Sequence, residues 1–430
     1  MADHSAELLK VLQHPRFTSL PWDEDHMPPH YGGYSILNLP TSIAQALGAP
    51  AIGHAPPLVP VLRQALEGVR RIVLLLVDAL GWHLLQAARE RGLVPGWQRF
   101  WEHGTVGVLT SIAPSTTAAA LTTLWTGRSA AEHGITGYEM WLKEYGVIAN
   151  AIVHSPSFFQ SGGAGLLRHA GFDPETFLPH LPLGMHLKPH GVEVHAFQHY
   201  TIANSGLSTM LFREAEVHAF ATLPDLWLGL RELLETPTEA RQYIWAYWGA
   251  VDSFSHRYGP RSARTLAEVE AVAWTWERFF WRELPPQARR GTLFLILADH
   301  GQIATPPNPE YEVQHHPRLQ RYLHLPPTGE NRLVYLYPRP GRVNAMKGYF
   351  AEAWPDRFHL VPSWEALNAR LFGPGRPHPA LRDRVGDWMA ISRGDAYLWW
   401  AAKENTMQGR HAGFHREEML VPFLALRLDG

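Results

Sequence analysis

The 430-residue sequence predicts an α/β fold: a largely parallel central sheet covered by helices on both faces, with inserted cap elements. Three observations predict it. Continuous apolar runs of strand length, RIVLLLV (71–77) and TLFLILA (292–298) foremost, have the composition of strands buried on both faces. Helical stretches stand between such runs. Two long segments, 135–222, rich in Gly, Pro and His, and 303–392, rich in Pro, break the rhythm as insertions do.

The elements follow in order. RIVLLLV leads into a helical stretch from about Leu80 to Arg91, and TVGVLTS (105–111) is the next strand. VEVHAFQ (192–198), QYIWAYWG (242–249), TLFLILA, AYLWWA (396–401) and LVPFLAL (420–426) complete the strand set, with long helices over 224–236 and 262–283. A strand-like RLVYLYP and a helix-like stretch from Val343 to Trp354 stand among the prolines of the second insertion. Residues 1–430 are expected to form a single domain, with its core at about 70–134, 223–302 and 393–430 and the two insertions as cap or lid elements.

Composition narrows the function. An apolar fraction of 46% with 11% aromatics is that of a globular chain, and a net charge of −2 gives no footprint for a long nucleic acid or an anionic membrane. The absence of cysteine excludes disulfides, thiolate catalysis and cysteine metal sites. Any metal must then be held by Asp, Glu or one of the 25 histidines, more than packing needs. The opening MADHSAELLKVLQHPRF lacks a basic segment followed by an apolar one, and no run approaches the ~20 apolar residues of a membrane span, so a cytoplasmic protein is expected. Composition leaves the oligomeric state open.

The chemistry begins at the strand ends. RIVLLLV ends in Asp78, and TLFLILA ends in Asp299 followed at once by His300. Ligands of open parallel sheets bind outside the carboxyl ends of the strands, so both acids are expected in one cleft. After QYIWAYWGAV come Asp252 and His256, four apart and therefore on one side of a helical turn, a spacing that suits two ligands on one ion. GRHAGFHREEM adds His411 and His415 before the final strand. Asp78, Asp252, Asp299, His256, His300 and His411 suffice for two divalent ions of three protein ligands each, zinc first, with manganese or iron also suited to the set. Singly, each acid is an ordinary turn or cap residue; their joint placement argues for the metal site.

A pair of ions ~3.5 to 4 Å apart clamps the attacking and leaving oxygens of an in-line displacement at phosphorus. That arrangement gives a role to SIAPSTTAAALTTLWTG (111–127), where two adjacent threonines open a helix of small residues. A threonine there is either a cap or a nucleophile, and the backbone N–H groups of the same turn face an anion.

Taken together, VDAL (77–80), PSTTAAALTTLWTGRSAAEHGI (114–135), DSFSHRYGP (252–260), ADHGQ (298–302) and HAGF (411–414) resemble the type I phosphodiesterase/nucleotide pyrophosphatase family of the alkaline phosphatase superfamily. The resemblance implies an alkaline-phosphatase-like catalytic domain and a two-metal hydrolase of phosphodiester or nucleotide pyrophosphate bonds, with a phosphothreonine intermediate on Thr117 rather than Thr116. It assigns Asp78, Thr117, Asp299 and His300 to one ion and Asp252, His256 and His411 to the other. HAGFHREEMLVP is also similar to the HGG-x-x-x-EEM ending of cofactor-independent phosphoglycerate mutases, which favours His411 over His415. Many relatives carry an asparagine three residues after the nucleophile, where this chain has Ala120. A phosphomonoesterase or phosphonate hydrolase with the same metals is the competing enzyme, and a metal-stabilised binding protein the non-enzyme reading. The lack of an arginine in SIAPSTTAA speaks against a sulfatase.

Overall fold

The computed structural model describes residues 2–14, 16–157, 163–204 and 206–430. Among them, seven strands form the central sheet: β1 (Arg71–Val77), β2 (Thr105–Thr110), β3 (Val192–His199), β4 (Glu216–Phe220), β5 (Arg241–Trp248), β6 (Thr292–Leu297) and β7 (Leu420–Arg427). Their order across the sheet is β2-β7-β6-β1-β5-β3-β4, and every pairing is parallel except the two made by β7. The residues from Ile72 to Val77 and from Leu293 to Leu297 are at most 1% exposed. A strand with no wet face has no reason to alternate, which is why these two read as unbroken apolar runs. Nearer the sheet edge, β3 does alternate at its start, with Val192 and Val194 buried and Glu193 exposed.

Five helices position the site: α1 (Trp82–Glu90), α2 (Thr117–Thr126), α3 (Leu223–Glu235), α4 (Ala250–Tyr258) and α5 (Ala263–Thr275). α3 begins at a Thr222 cap and buries Leu223, Leu226, Trp227, Leu230 and Leu234, a stripe at helical spacing. Trp227 Nε1 donates to Thr275 Oγ1 at 2.9 Å, tying α3 to α5. α5 runs on into a π-helical segment, Trp276–Trp281, whose Trp276 ring lies 5.6 Å from Phe294 of β6. The expected long helices at 224–236 and 262–283 are therefore both present. Among the described residues, no helix is long and apolar enough to cross a membrane.

Two expectations are corrected. The segment 135–222 is not wholly an insertion, because β3 and β4 lie inside it and extend the central sheet. Its earlier part instead joins the other interruption. Phe358–Pro362, Trp388–Ser392, Leu333–Leu336, Thr328–Gly329, Glu139–Leu142, Val147–Asn150 and Ser155–Pro156 lie side by side, in that order, as one antiparallel sheet. The run AYLWWA (396–401) is not a strand; it pairs only through a bridge between Glu312 and Trp399. Its apolar character comes from burial in a loop, where Tyr397 is fully buried and carries the Arg410 guanidinium 3.7 Å above its ring.

Buried histidines give the fold an acid limit. Burial pushes His26 and His154 down to about 4. For His26, burial outweighs the pull of Asp23 and of the Ser392 carbonyl, 3.1 Å from Nε2, while Nδ1 accepts from the Asp23 N–H at 3.2 Å. Because both folded values are depressed, the unfolded chain takes up protons first as pH falls. The stability they contribute is complete above about pH 6.5 and is lost toward pH 4. Each should cost about 1–2 kcal/mol between pH 6.5 and 5. Urea unfolding of metal-free protein at the two pH values checks this, and His154→Gln is expected to flatten the dependence. An unchanged slope would refute the assignment.

Candidate active site

β1, β5 and β6 share a register that pairs Val77 with Trp248 and Leu76 with Leu297. The chain therefore leaves all three strands at one edge of the sheet, bringing Asp78, Asp252 and Asp299 to a common place. Hydrogen bonds stitch the exits together: the Asp78 N–H donates to the Trp248 carbonyl at 2.9 Å, and the Ala79 N–H to Asp299 Oδ1 at 3.2 Å. Ala79 adopts φ 60°, the left-handed conformation, and so turns the chain sharply just after the acid. Farther on, a Cβ at Gly81 would stand 2.7 Å from the Cα of Gly301. Only glycine lets the loops after β1 and β6 touch there.

The six acids and imidazoles singled out in the sequence converge. Asp252, His256 and His411 form one group of potential ligands, and Asp78, Asp252 and His300 another, so the Asp252 carboxylate lies between the two. In the first, Asp252 Oδ1 is 3.3 Å from His256 Nε2, one turn along α4, and 3.9 Å from His411 Nε2. In the second, His300 Nε2 is 3.5 Å from Asp78 Oδ1, and it is also 3.4 Å from Asp299 Oδ2. Ligand atoms ~2.0–2.1 Å from a tetrahedral ion are themselves about 3.3 Å apart.

Each imidazole is oriented from behind. Nδ1 of His256 lies 2.8 Å from the Gly409 carbonyl, Nδ1 of His411 lies 3.1 Å from that of Ser115, and Nδ1 of His300 lies 3.1 Å from that of Gly301. A carbonyl only accepts, so the proton sits on Nδ1 and the lone pair of Nε2 points at the carboxylates. His415, by contrast, caps the short helix Arg416–Met419 through Nδ1 and takes no part in either group.

Electrostatics sharpen the fit to cations. Asp78 and Asp299 are 2% and 0% exposed, and Oδ1 of the first and Oδ2 of the second are buried without a hydrogen-bond partner. Burial, then the charges of Asp299 and Asp252, drives the Asp78 carboxyl well above its ordinary range. Tyr247, whose hydroxyl donates to Asp78 Oδ2, is raised by burial and by the same acids. Burial, and then His300 and His256, holds His411 well below the ordinary imidazole value, so its nitrogen binds an ion without first losing a proton. Two buried acids and the half-buried Asp252 beside three imidazoles, with bare carboxylate oxygens on Asp78 and Asp299, fit divalent cations.

Thr117 opens α2 at this place, its Oγ1 3.1 Å from His300 Nε2 and 3.4 Å from Asp78 Oδ2. Its neighbour Thr116 occupies the N-cap position yet makes no cap bond; its hydroxyl donates instead to Glu330 Oε1 at 2.5 Å. The first-turn N–H groups of α2 consequently receive no side-chain cap, as suits an anion site. Three residues given no role from the sequence join the site: Tyr247, Glu330 and Gln302, whose Nε2 lies 2.5 Å from Asp252 Oδ1. Gln302 was visible as the last residue of ADHGQ. Burial raises the Glu330 carboxyl to about 8.

Beside Thr117 and Tyr247 lies a cavity of about 100 Å³ whose walls include Leu121, Ile152, Leu207, Leu211 and Phe212, with Gln198 as a polar contact. Asn150, His154, Tyr258 and His315 are not among its lining and make structural contacts instead. Asn150 accepts from the Ile152 and Val153 N–H groups, His154 packs on Phe172, Tyr258 carries Arg264 over its ring, and His315 bonds the Pro309 carbonyl.

Comparisons with known proteins agree with this geometry. The family model for type I phosphodiesterase / nucleotide pyrophosphatase matches residues 72–415. None of the curated proteins matches by sequence. Among solved structures, the chain resembles murine ectonucleotide pyrophosphatase / phosphodiesterase 5, an inactive threonine-to-alanine form in complex with AMP. That match has a TM-score of 0.60 and 16% identity over 83% of this chain and 88% of that one. The human protein of the same name matches with a TM-score of 0.58 and 14% identity, over 83% and 87%. Phosphonoacetate hydrolase from Sinorhizobium meliloti 1021, in complex with phosphonoformate, matches with a TM-score of 0.59 and 18% identity, over 83% and 90%. At these identities the likeness establishes the fold.

Proposed function

Because the chain belongs to the type I phosphodiesterase / nucleotide pyrophosphatase family of hydrolases, we propose that it cleaves phosphodiester or nucleotide pyrophosphate bonds with Thr117 as nucleophile and two divalent ions, zinc first, as cofactors. Asp252, His256 and His411 would hold one ion, and Asp78, Asp299, His300 and the Thr117 hydroxyl the other. One observation carries this reading. Three imidazoles, each fixed at Nδ1 by a carbonyl, aim Nε2 at three acids, the buried Asp78 and Asp299 and the half-buried Asp252, beside a threonine hydroxyl. When bound, such ions supply a lowered pKa for a hydroxyl and positive charge for the phosphoryl oxygens.

The chain's own groups supply the rest. Thr117 Oγ1, its proton given up to solvent, forms a bond to phosphorus while the bond from phosphorus to the leaving oxygen breaks in line, the leaving group departing with the electron pair and taking a proton from solvent. Water then forms its own bond to phosphorus as the phosphothreonine bond breaks, and a proton from that water passes to Oγ1, which restores the hydroxyl. The uncapped first turn of α2 directs N–H groups at the phosphoryl oxygens, a role for which Ala120 offers no side-chain donor. Gln302 fixes the Asp252 carboxylate, and Tyr247 fixes that of Asp78. The apolar cavity receives the organic part of the substrate.

The AMP and phosphonoformate named for the structural neighbours are both phosphorus oxyanions, in keeping with an acceptor at phosphorus. A turnover screen tests the proposal: bis-aryl and mono-aryl phosphates, nucleotides, dinucleoside polyphosphates, sugar nucleotides and phosphonates, on zinc- and manganese-loaded protein. The bis-aryl phosphate is expected to turn over fastest among the aryl esters. Preference for the mono-aryl ester or a phosphonate would move the assignment to those classes, and no turnover with two bound ions would overturn it.

A further inference from the structure

A separate cluster of ligating side chains stands on the outer strands of the central sheet. β3 and β4 pair in parallel with His195 opposite Glu216 and Phe197 opposite His218, so all four side chains project from one face. Gln198, at odd spacing from His195, lies on the other face and lines the cavity beside Thr117. The cluster therefore belongs to a different side of the sheet from the proposed active site.

Its atoms are close. His195 Nδ1 lies 3.0 Å from His218 Nε2 and 3.5 Å from Glu216 Oε2, while His218 Nε2 lies 3.9 Å from Glu216 Oε1. One ligand atom from each residue falls within 4.8 Å of the other two. We propose that His195, Glu216 and His218 form a third divalent-cation site, selective for zinc-like ions, that clips the edge strand β4 to β3.

The donor set is what a borderline-soft divalent ion takes: two imidazoles and a carboxylate, with a fourth position open to water. Two features prepare it. The His218 ring is stacked on Phe197, centroids 4.5 Å apart and planes 15° apart, so its orientation is held before any ion arrives. The Glu216 side chain is 68% exposed, so the ion enters from solvent and the carboxylate closes on it. A direct bond between the two rings uses one proton and one lone pair but leaves the carboxylate without a normal hydrogen bond, whereas an ion engages all three groups. Burial lowers both imidazoles from their ordinary value, which keeps them unprotonated near neutral pH. One feature limits the affinity. His195 Nε2 is buried with no partner, so ligation through Nδ1 leaves the Nε2 proton without an acceptor, and micromolar rather than tighter binding is expected.

The test uses full-length protein equilibrated with micromolar zinc, comparing wild type with His218→Ala. Elemental analysis is expected to find one zinc fewer per chain in the variant, with aryl phosphate turnover unchanged. Equal counts overturn the proposal. Because the reading is a difference, it stands apart from the catalytic assignment: failure of the active-site ions lowers both counts equally. Glu216→Gln, at a side chain mostly in solvent, guards against a folding defect. Its zinc affinity at this site is expected to fall at least about tenfold, judged by the effect of weaker perturbations around metal ligands. An unchanged titration would also overturn the proposal.

Discussion

Thr117→Ala protein is expected to bind its ions and keep its fold while turnover of a phosphate diester falls roughly 10³–10⁶-fold, the range seen when a nucleophile is deleted and binding remains. The reasoning is local. Thr117 begins α2, so its side chain contributes no internal contact to the helix, and its hydroxyl faces His300 and Asp78 at 3.1 and 3.4 Å. Alanine keeps the helix start and removes only the oxygen that bonds to phosphorus. Thr116→Ala is the control. Its hydroxyl is spent on Glu330, so its loss should shift the Glu330 side chain while leaving the chemistry within about tenfold of wild type. Elemental analysis alongside kinetics separates the outcomes: retained metal with lost turnover supports the nucleophile, whereas near wild-type turnover in Thr117→Ala moves the role to Thr116.

The site was more legible in the sequence than the architecture around it, for physical reasons. A strand buried on both faces must be apolar throughout, so the first charge after RIVLLLV or TLFLILA marks the sheet edge as well as a candidate ligand. The helical repeat did the same for Asp252 and His256. Strand direction is a different matter. An apolar run reads identically either way, and nothing in LVPFLAL announced that β7 runs against β2 and β6. The second sheet was hidden for another reason: strands such as Thr328–Gly329 and Ser155–Pro156 are two residues long, and its two halves join only through a pairing far apart in sequence, Gly329 with Glu139. Long-range pairing of short strands leaves no local pattern to read. Glu330 reaches the site from this sheet's connecting segments, so no motif near Thr116 pointed to it. Tyr247, at the end of β5, passed as one more aromatic in an apolar strand, and only its bond to Asp78 reveals the role.

Asp252→Ala and His256→Ala are expected to differ in a way that reports how the ions share ligands. His256 enters only the group with Asp252 and His411, so its loss should remove one zinc per chain and lower turnover roughly 10²–10⁴-fold, the scale of several kcal/mol of charge stabilisation. Asp252 enters both groups, its Oδ1 3.3 Å from His256 Nε2 while its charge also acts on the Asp78 carboxyl. Its removal should abolish one ion and weaken the other at least about tenfold, giving the larger loss of activity. The contrast has a structural control in Gln302→Ala, which frees the Asp252 carboxylate from its 2.5 Å contact without deleting a ligand. That variant should retain both ions at saturating zinc and need a higher zinc concentration for half-maximal turnover. Two fully occupied ions in both Asp252→Ala and His256→Ala would refute the ligand partition, and equal losses in the two would refute the shared position of Asp252.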